Sequence, residues 1–378
     1  MKALAAAVLL LACTKADPAL EARAALGTKV AAAPLQTSLV VDVSKRSLTL
    51  DRYERLVLGL ADCRLEGYQI DSNCGAMVAL AAALRDSAAW ADRAAVDREL
   101  GGRLIHHAAP AIRIEAARML AGTDAGIDAI AAAAAGESRA GVLQAFVRTV
   151  AHASARPPVT AMLLAAADHT DAAVRLEAVA ALSKRAVPGG ADKLAQLAEH
   201  DSDSTVRQAA CSGAGKLGDH ALLAMYERQT EPSAAADAPV YAACMEGLVA
   251  MFHDHPWFDT ADQGAYELFL RRIEATPRSE AVPPWNVMST FCYFSHESDL
   301  DKLAAWKQRA PWFDAARVKR ALAAVIADGH ASWMARAAAV ESMVGLGATQ
   351  DEIAALRHGL RASDPGDKQV LDKLASVQ

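Results

Sequence analysis

Two stretches of the chain carry residue types that could do chemistry. The first runs His253-Asp254-His255-Pro256-Trp257-Phe258-Asp259-Thr260-Ala261-Asp262. Imidazole and carboxylate groups together ligate zinc or a similar ion, so His253 and His255 are the weak metal candidates of the chain. The stretch is polar and contains Pro256, and donors in such a loop need not converge on one point. The second is Gly213-Ala214-Gly215-Lys216-Leu217-Gly218, which satisfies G-x-G-x-x-G. A dinucleotide site needs a strand before that motif and a helix opening at it. Here helical sequence comes first, so a turn between helices is expected. The P-loop pattern also fails, with Ala210 in place of the first Gly and Leu217 in place of Ser/Thr. No Gly-x-Ser-x-Gly, His-Glu-x-x-His or Cys-x-x-Cys is present. No catalytic set and no cofactor is indicated.

Aromatic residues are unevenly spread. Thirteen of the 19 lie between Tyr241 and Phe313. Trp257, Phe258, Trp285, Trp306 and Trp312 are the candidate partner contacts, because exposed Trp and Tyr are what interfaces favour. The competing reading is that a less regular stretch of core needs bulkier fillers. The chain carries a net charge of −6 and no basic run, which argues against a nucleic-acid face.

The elements that position these residues begin with the N-terminus. Lys2 precedes an apolar run, Ala3 to Ala12, too short to span a bilayer, which needs roughly 20 residues. It fits the apolar region of a secretory signal. Leu10-Leu11-Ala12-Cys13 resembles the bacterial lipobox. The resemblance implies removal of residues 1–12, diacylation of Cys13 (palmitate-type chains) and a lipid-anchored protein of the cell envelope. Thr14 after it resembles the outer-membrane default, on the face toward the periplasm. Each acyl chain contributes about 0.8 kcal/mol per buried methylene, so two or three anchor stably. Residues 13–39 then read as a tether. A helix is expected from Asp51, with that carboxylate as its N-cap. Cys63 and Cys74 flank a turn-rich segment and are the expected disulfide. The pairing of Cys211, Cys244 and Cys292 is left open, with Cys244 falling on an inward stripe as a small buried hydrophobe would.

The decisive observation is repetition. Ile112, Val142, Val174, Val206 and Val240 recur at offsets of 30, 32, 32 and 34. Four residues on stand Ala116, Phe146, Ala178, Ala210 and Cys244, and eight on stand Leu120, Val150, Leu182, Ala214 and Leu248. Positions i, i+4 and i+8 share one helix face. Each unit also holds a second amphipathic piece, such as GIDAIAAAAAG or ADKLAQLAEH. Two helices per unit make a hairpin, and stacked hairpins bury a continuous core. Asp171 and Asp203 fall where N-caps belong, and Pro110 and Pro239 in first turns.

This pattern resembles the HEAT-like repeat family, whose short form reads D-x-x-V-R-x-x-A-x-x-A-L-G-x-L-G-D. VRQAACSGAGKLGD matches it most closely. Similar repeats occur in the phycobilisome lyase group, but nothing beyond the repeats points to bilin chemistry. The resemblance implies an all-α fold, an α-solenoid of armadillo type. The expected divisions are an N-terminal helical cap at 40–104, HEAT-like repeats at 105–255 and divergent helical repeats at 256–378. Arg113, Arg175 and Arg207 recur at one repeat position, replaced by Leu143 and Tyr241 in two units. In similar families this Arg bonds an acidic residue or carbonyls and holds the stack in register. The implied function is an interaction scaffold without catalysis, whose concave face binds an envelope protein or peptide. The alternative is a metal- or small-ligand-binding protein, or an enzyme, using the His253-Asp254-His255 loop or the aromatic stretch.

Overall fold

The computed structural model describes residues 50–86, 93–231, 237–253, 260–275, 285–295 and 300–377. Cys13, the tether, His255, Trp257 and Phe258 lie outside them, as does the side chain of Trp285. Helix α1 (Leu50–Leu58) runs into a 3-10 turn at Gly59–Asp62. Asp51 lies in the first turn of α1 rather than at its cap, where its carboxylate still faces the positive end of the helix dipole. A two-residue antiparallel hairpin follows, β1 (Leu65–Glu66) and β2 (Gln69–Ile70), and then α2 (Gly75–Asp86). The expected Cys63–Cys74 disulfide closes this hairpin, with the Cα atoms 5.7 Å apart. The hairpin reaches the repeats through Tyr68, whose ring lies 4.4 Å from the Arg148 guanidinium carbon.

After α3 (Arg93–Leu104) come five helical hairpins. Their first helices are α4 (Pro110–Leu120), α6 (Ala140–Val150), α8 (Ala172–Leu182), α10 (Ser204–Gly215) and α12 (Ala238–Phe252). Their second helices are α5 (Asp124–Ala134), α7 (Pro157–Ala167), α9 (Gly190–His200), α11 (Leu223–Gln229) and α13 (Gln263–Ala275). Each first helix packs on the next first helix, and each second helix on the next second helix. This makes two parallel rows with the core between them. The repeat positions form that core: Ile112, Val142, Val174 and Val206 are wholly buried, and so are Ala116, Phe146, Ala178, Ala210 and Cys244. The carboxylates of Asp171 and Asp203 accept N–H bonds from Ala173 and from Thr205 and Val206, satisfying orphan donors of α8 and α10. Pro110 and Pro239 stand in first turns, as expected.

Gly213 and Gly215 lie inside α10, with helix before them and no strand. They are packing residues. A Cβ on Gly213 would collide with Ser183 Oγ, and one on Gly215 with the backbone of Gly247 in α12. The two helices therefore touch backbone to backbone. Cys211 and Cys244 bridge the same seam as a disulfide, with Cα atoms 4.6 Å apart. Cys244 is thus buried as its position implied, but it is covalently paired rather than a plain hydrophobe.

Beyond α13 the array is irregular. It comprises α14 (Trp285–Met288), a 3-10 turn at Cys292–Ser295, α15 (Leu300–Arg309), α16 (Ala315–Ala327), α17 (Trp333–Gly345), α18 (Gln350–Ala355) and α19 (Pro365–Ser376). Helix α17 is the hub, packing on α14, α16 and α19. Short elements leave wide gaps, and rings fill them. Phe252, Tyr266, Phe269, Phe291, Phe294 and Trp306 form one buried cluster. Trp306 is accordingly not a partner contact. It is fully buried, and its indole N–H donates to the carbonyls of Phe252 and Thr260, each at 2.7 Å. Trp312 is half-buried and packs on Tyr266 and Trp306. His253 is no open loop residue either: it is 2% exposed, with its ring 5.1 Å from that of Phe294. No helix among the described residues is long and apolar enough to cross a membrane.

Candidate binding face

The recurrent arginines build clamps at the edge where one hairpin passes to the next. Arg175, in the first turn of α8, donates from Nη1 to the carbonyls of His169 and Thr170 at 2.9 and 3.0 Å. Its Nε and Nη2 donate to both oxygens of Asp201 at 2.7 Å. Arg113 repeats this with the carbonyls of His107 and Ala108 and the two oxygens of Glu137. Arg207 holds the Asp201 carbonyl and the Asp237 carboxylate. The planar fork of Arg suits it to such bidentate pairing. These arginines are thus structural: Arg113 and Arg175 tie the loop before a first helix to the end of its second helix, and Arg207 ties that loop to Asp237, the N-cap of the next first helix.

A fourth clamp was missed from sequence. Arg336 of α17 is 2% exposed and donates to the Ile326 carbonyl at 2.8 Å and to Asp367 at 2.7 Å. The signal was present: Ser332-Trp333-Met334-Ala335-Arg336 aligns with Asp171-Ala172-Ala173-Val174-Arg175, and Ser332 caps α17 as Asp171 caps α8. Ser for Asp and Ala for Val hid it.

Burial pushes the Asp201 carboxyl up, but hydrogen bonds from Arg175 and the Asp203 backbone N–H outweigh this and hold it below the usual carboxylate range. The Asp367 carboxyl is likewise held down, first by the Arg361 N–H and then by Arg336. A depressed carboxylate binds fewer protons folded than unfolded, so stability rises with pH through this region. The Arg175–Asp201 and Arg336–Asp367 pairs therefore contribute fully above about pH 5 and lose their effect as pH falls through the lowered folded pKa of each carboxyl. Asp201→Asn is expected to cost about 1–3 kcal/mol at pH 7 and less at pH 3. Urea titrations at the two pH values measure this, and an equal loss at both would show that the pair is not the source.

The arginine is absent in two units, where Leu143 and Tyr241 replace it, and the first of these lies between two clamped units. Leu143 of α6 stands at the arginine position, and His169 stands 32 residues after Glu137 and 32 before Asp201. Between α5 and α7 there is then an open cavity of about 510 Å³. Its walls include Ala131, Ala135, Leu143, Ala161, Met162 and Ala165, with His169 at one end. A second cavity of about 310 Å³ shares His169 and is lined by Gln196, His200, Asp201 and Ser202. Trp306 and Trp312, the nominated tryptophans whose side chains are described, line neither cavity. No group of three or more His, Cys, Asp or Glu among the described residues is placed to hold a metal ion.

Stacked hairpins, two helix rows and arginine clamps at the hairpin junctions define an all-α solenoid of HEAT-like repeats. A family model described as HEAT repeats matches residues 127–215 and 160–231, from within α5 to just past α11. No curated protein matches the chain.

Proposed function

We propose that the protein is a lipid-anchored envelope scaffold, facing the periplasm from the outer membrane and binding an envelope protein or peptide without catalysis of its own. The HEAT-like stack carries this reading, since repeats of this kind generally mediate protein–protein contact. A solenoid offers an extended surface whose geometry is set by neighbour-to-neighbour packing. Clamps and an inter-repeat disulfide hold that surface rigid, which lowers the entropic cost of binding. Cys13 supplies the membrane attachment in this reading, and Trp257 and Trp285 are candidate contacts. Cross-linking in intact cells followed by purification tests it. One recurrent envelope partner is expected, reduced when Trp257 or Trp285 is changed. Cys13→Ser is expected to move the protein from the membrane to the soluble fraction. Retention in the membrane would overturn the anchor, and stoichiometric metal in the purified protein would favour the ligand-binding alternative.

A further inference from the structure

We infer that the edge of the solenoid formed by the turns after α6, α8 and α10 is a basic docking edge for an anionic membrane surface. This rests on the lipid-anchor reading and adds to it the side on which the body lies.

The repeat supplies the row. His152, Lys184 and Lys216 each stand ten residues after a core valine, Val142, Val174 and Val206, so they occupy one repeat position. All three are exposed. Neighbouring helices pack about 8–10 Å apart, and adjoining members of the row meet: Lys184 Nζ lies 3.2 Å from His152 Nε2. The turns at 151–156 and 183–189 contain no Asp or Glu. Half-buried Arg185 adds a cation behind Lys184. Its Nη2 donates to the Val150 carbonyl at the end of α6, while its Nε and Nη1 meet no acceptor. Lys184, Arg185 and Lys216 have no carboxylate partner among the described residues, unlike the clamp arginines. The carboxylates along this edge are engaged elsewhere. Asp124 and Asp128 pair with Arg156, Asp219 accepts the Ala221 N–H, and Asp262 pairs with His220. Asp192 stands in the first turn of α9, at that helix's positive end.

A helix C-terminus attracts cations for its own sake, but Arg185 already serves the α6 carbonyl. Lys184 reaches a ring rather than a carbonyl. The shape of the edge selects the occupant. None of these residues lines the cavities between α5 and α7, between α7 and α9 or between α16 and α18. A lone phosphate or a peptide finds no pocket here. The cations lie in line on the turns, where a plane of headgroups meets them together. The helices run from this edge to the clamp edge, so docking stands them upright and leaves both rows open to a partner. Near an anionic surface each Lys or Arg raises partition about fivefold, so Lys184, Arg185 and Lys216 together give about a hundredfold. That orients an anchored body, yet lets an unanchored one wash off.

The test uses the mature chain from residue 13 with Cys13→Ser, sedimented with vesicles of phosphatidylcholine alone or mixed with phosphatidylglycerol. Partition is expected to be at least about tenfold higher on the anionic vesicles at low salt, and to fall to the neutral level at about 0.5 M NaCl. Lys184→Glu with Lys216→Glu is expected to cut it by more than about tenfold. Arg139→Glu with Lys368→Glu makes the same change of net charge at exposed positions in the N-terminal ends of α6 and α19, away from this edge. That control is expected to stay within about twofold of the parent. Equal partition on both kinds of vesicle would overturn the edge. So would equal loss in both double variants, which would assign the effect to net charge. Retention on immobilised polyglutamate but not on vesicles would replace the membrane with an acidic macromolecule. If vesicles are not bound while Cys13 still decides membrane attachment in cells, the edge fails and the anchor stands.

Discussion

Trp306→Ala is expected to destabilise the protein by about 4–6 kcal/mol. The largest buried side chain of the aromatic cluster would leave a cavity bounded by Phe294, Phe313 and His253. Removing a buried aromatic typically costs about 3–5 kcal/mol from lost transfer energy and the void. A second loss adds to it. Phe252 is the last residue of α12, so its carbonyl has no partner within the helix, and the Trp306 indole satisfies it together with Thr260. Trp306→Phe separates the two effects, keeping most of the ring while losing the N–H, and is expected to cost about 1–3 kcal/mol. Urea denaturation followed by circular dichroism gives the totals. Hydrogen exchange localises them, with loss of protection expected in α12 and α15 before α6. A Trp306→Ala protein with an unchanged midpoint would remove Trp306 from the core.

Gly215→Ala is expected to cost about 3 kcal/mol or more, although alanine is the better helix former. The new methyl would overlap the Gly247 carbonyl, carbon and Cα together, and backbone cannot rotate away as a side chain can. Nor can α12 slide aside freely. The Cys211–Cys244 bridge lies one turn along the same seam, and the Tyr226 hydroxyl donates to the Cys211 carbonyl at 2.6 Å. Gly102 of α3 is the control, with nothing within 4 Å of its would-be Cβ. Gly102→Ala is expected to be stabilising by about 0.5–1 kcal/mol. The same chemical change thus has opposite signs at two helical sites. Thermal melts of the oxidised protein report both, and equal shifts would contradict the close crossing of α10 and α12.

Both results concern positions whose importance no local pattern announces. Gly215 was visible only as part of a phosphate-binding motif or a hairpin turn, and Trp306 only as one of several tryptophans. A glycine in a close helix crossing and a glycine in a turn look alike in one dimension. A tryptophan at an interface and one in a core differ only in what surrounds them.

The repeat register was legible from the chain alone, because it rests on properties that operate over a few residues. Apolar side chains at i, i+4 and i+8 define a helix face whatever lies opposite. Asp171 and Asp203 cap their helices with bonds to amides two and three residues away. The hairpin disulfide Cys63–Cys74 closes a short loop with few alternatives. Pairings across the stack were decided by tertiary structure. Cys211 meets Cys244 only because successive first helices lie side by side. Arg336 meets Asp367 only because α17 packs on α19. The missing clamp at Leu143 and His169 becomes a groove only when α5 and α7 are set beside each other, since two substitutions 26 residues apart in sequence share no signal until the fold superposes the repeats.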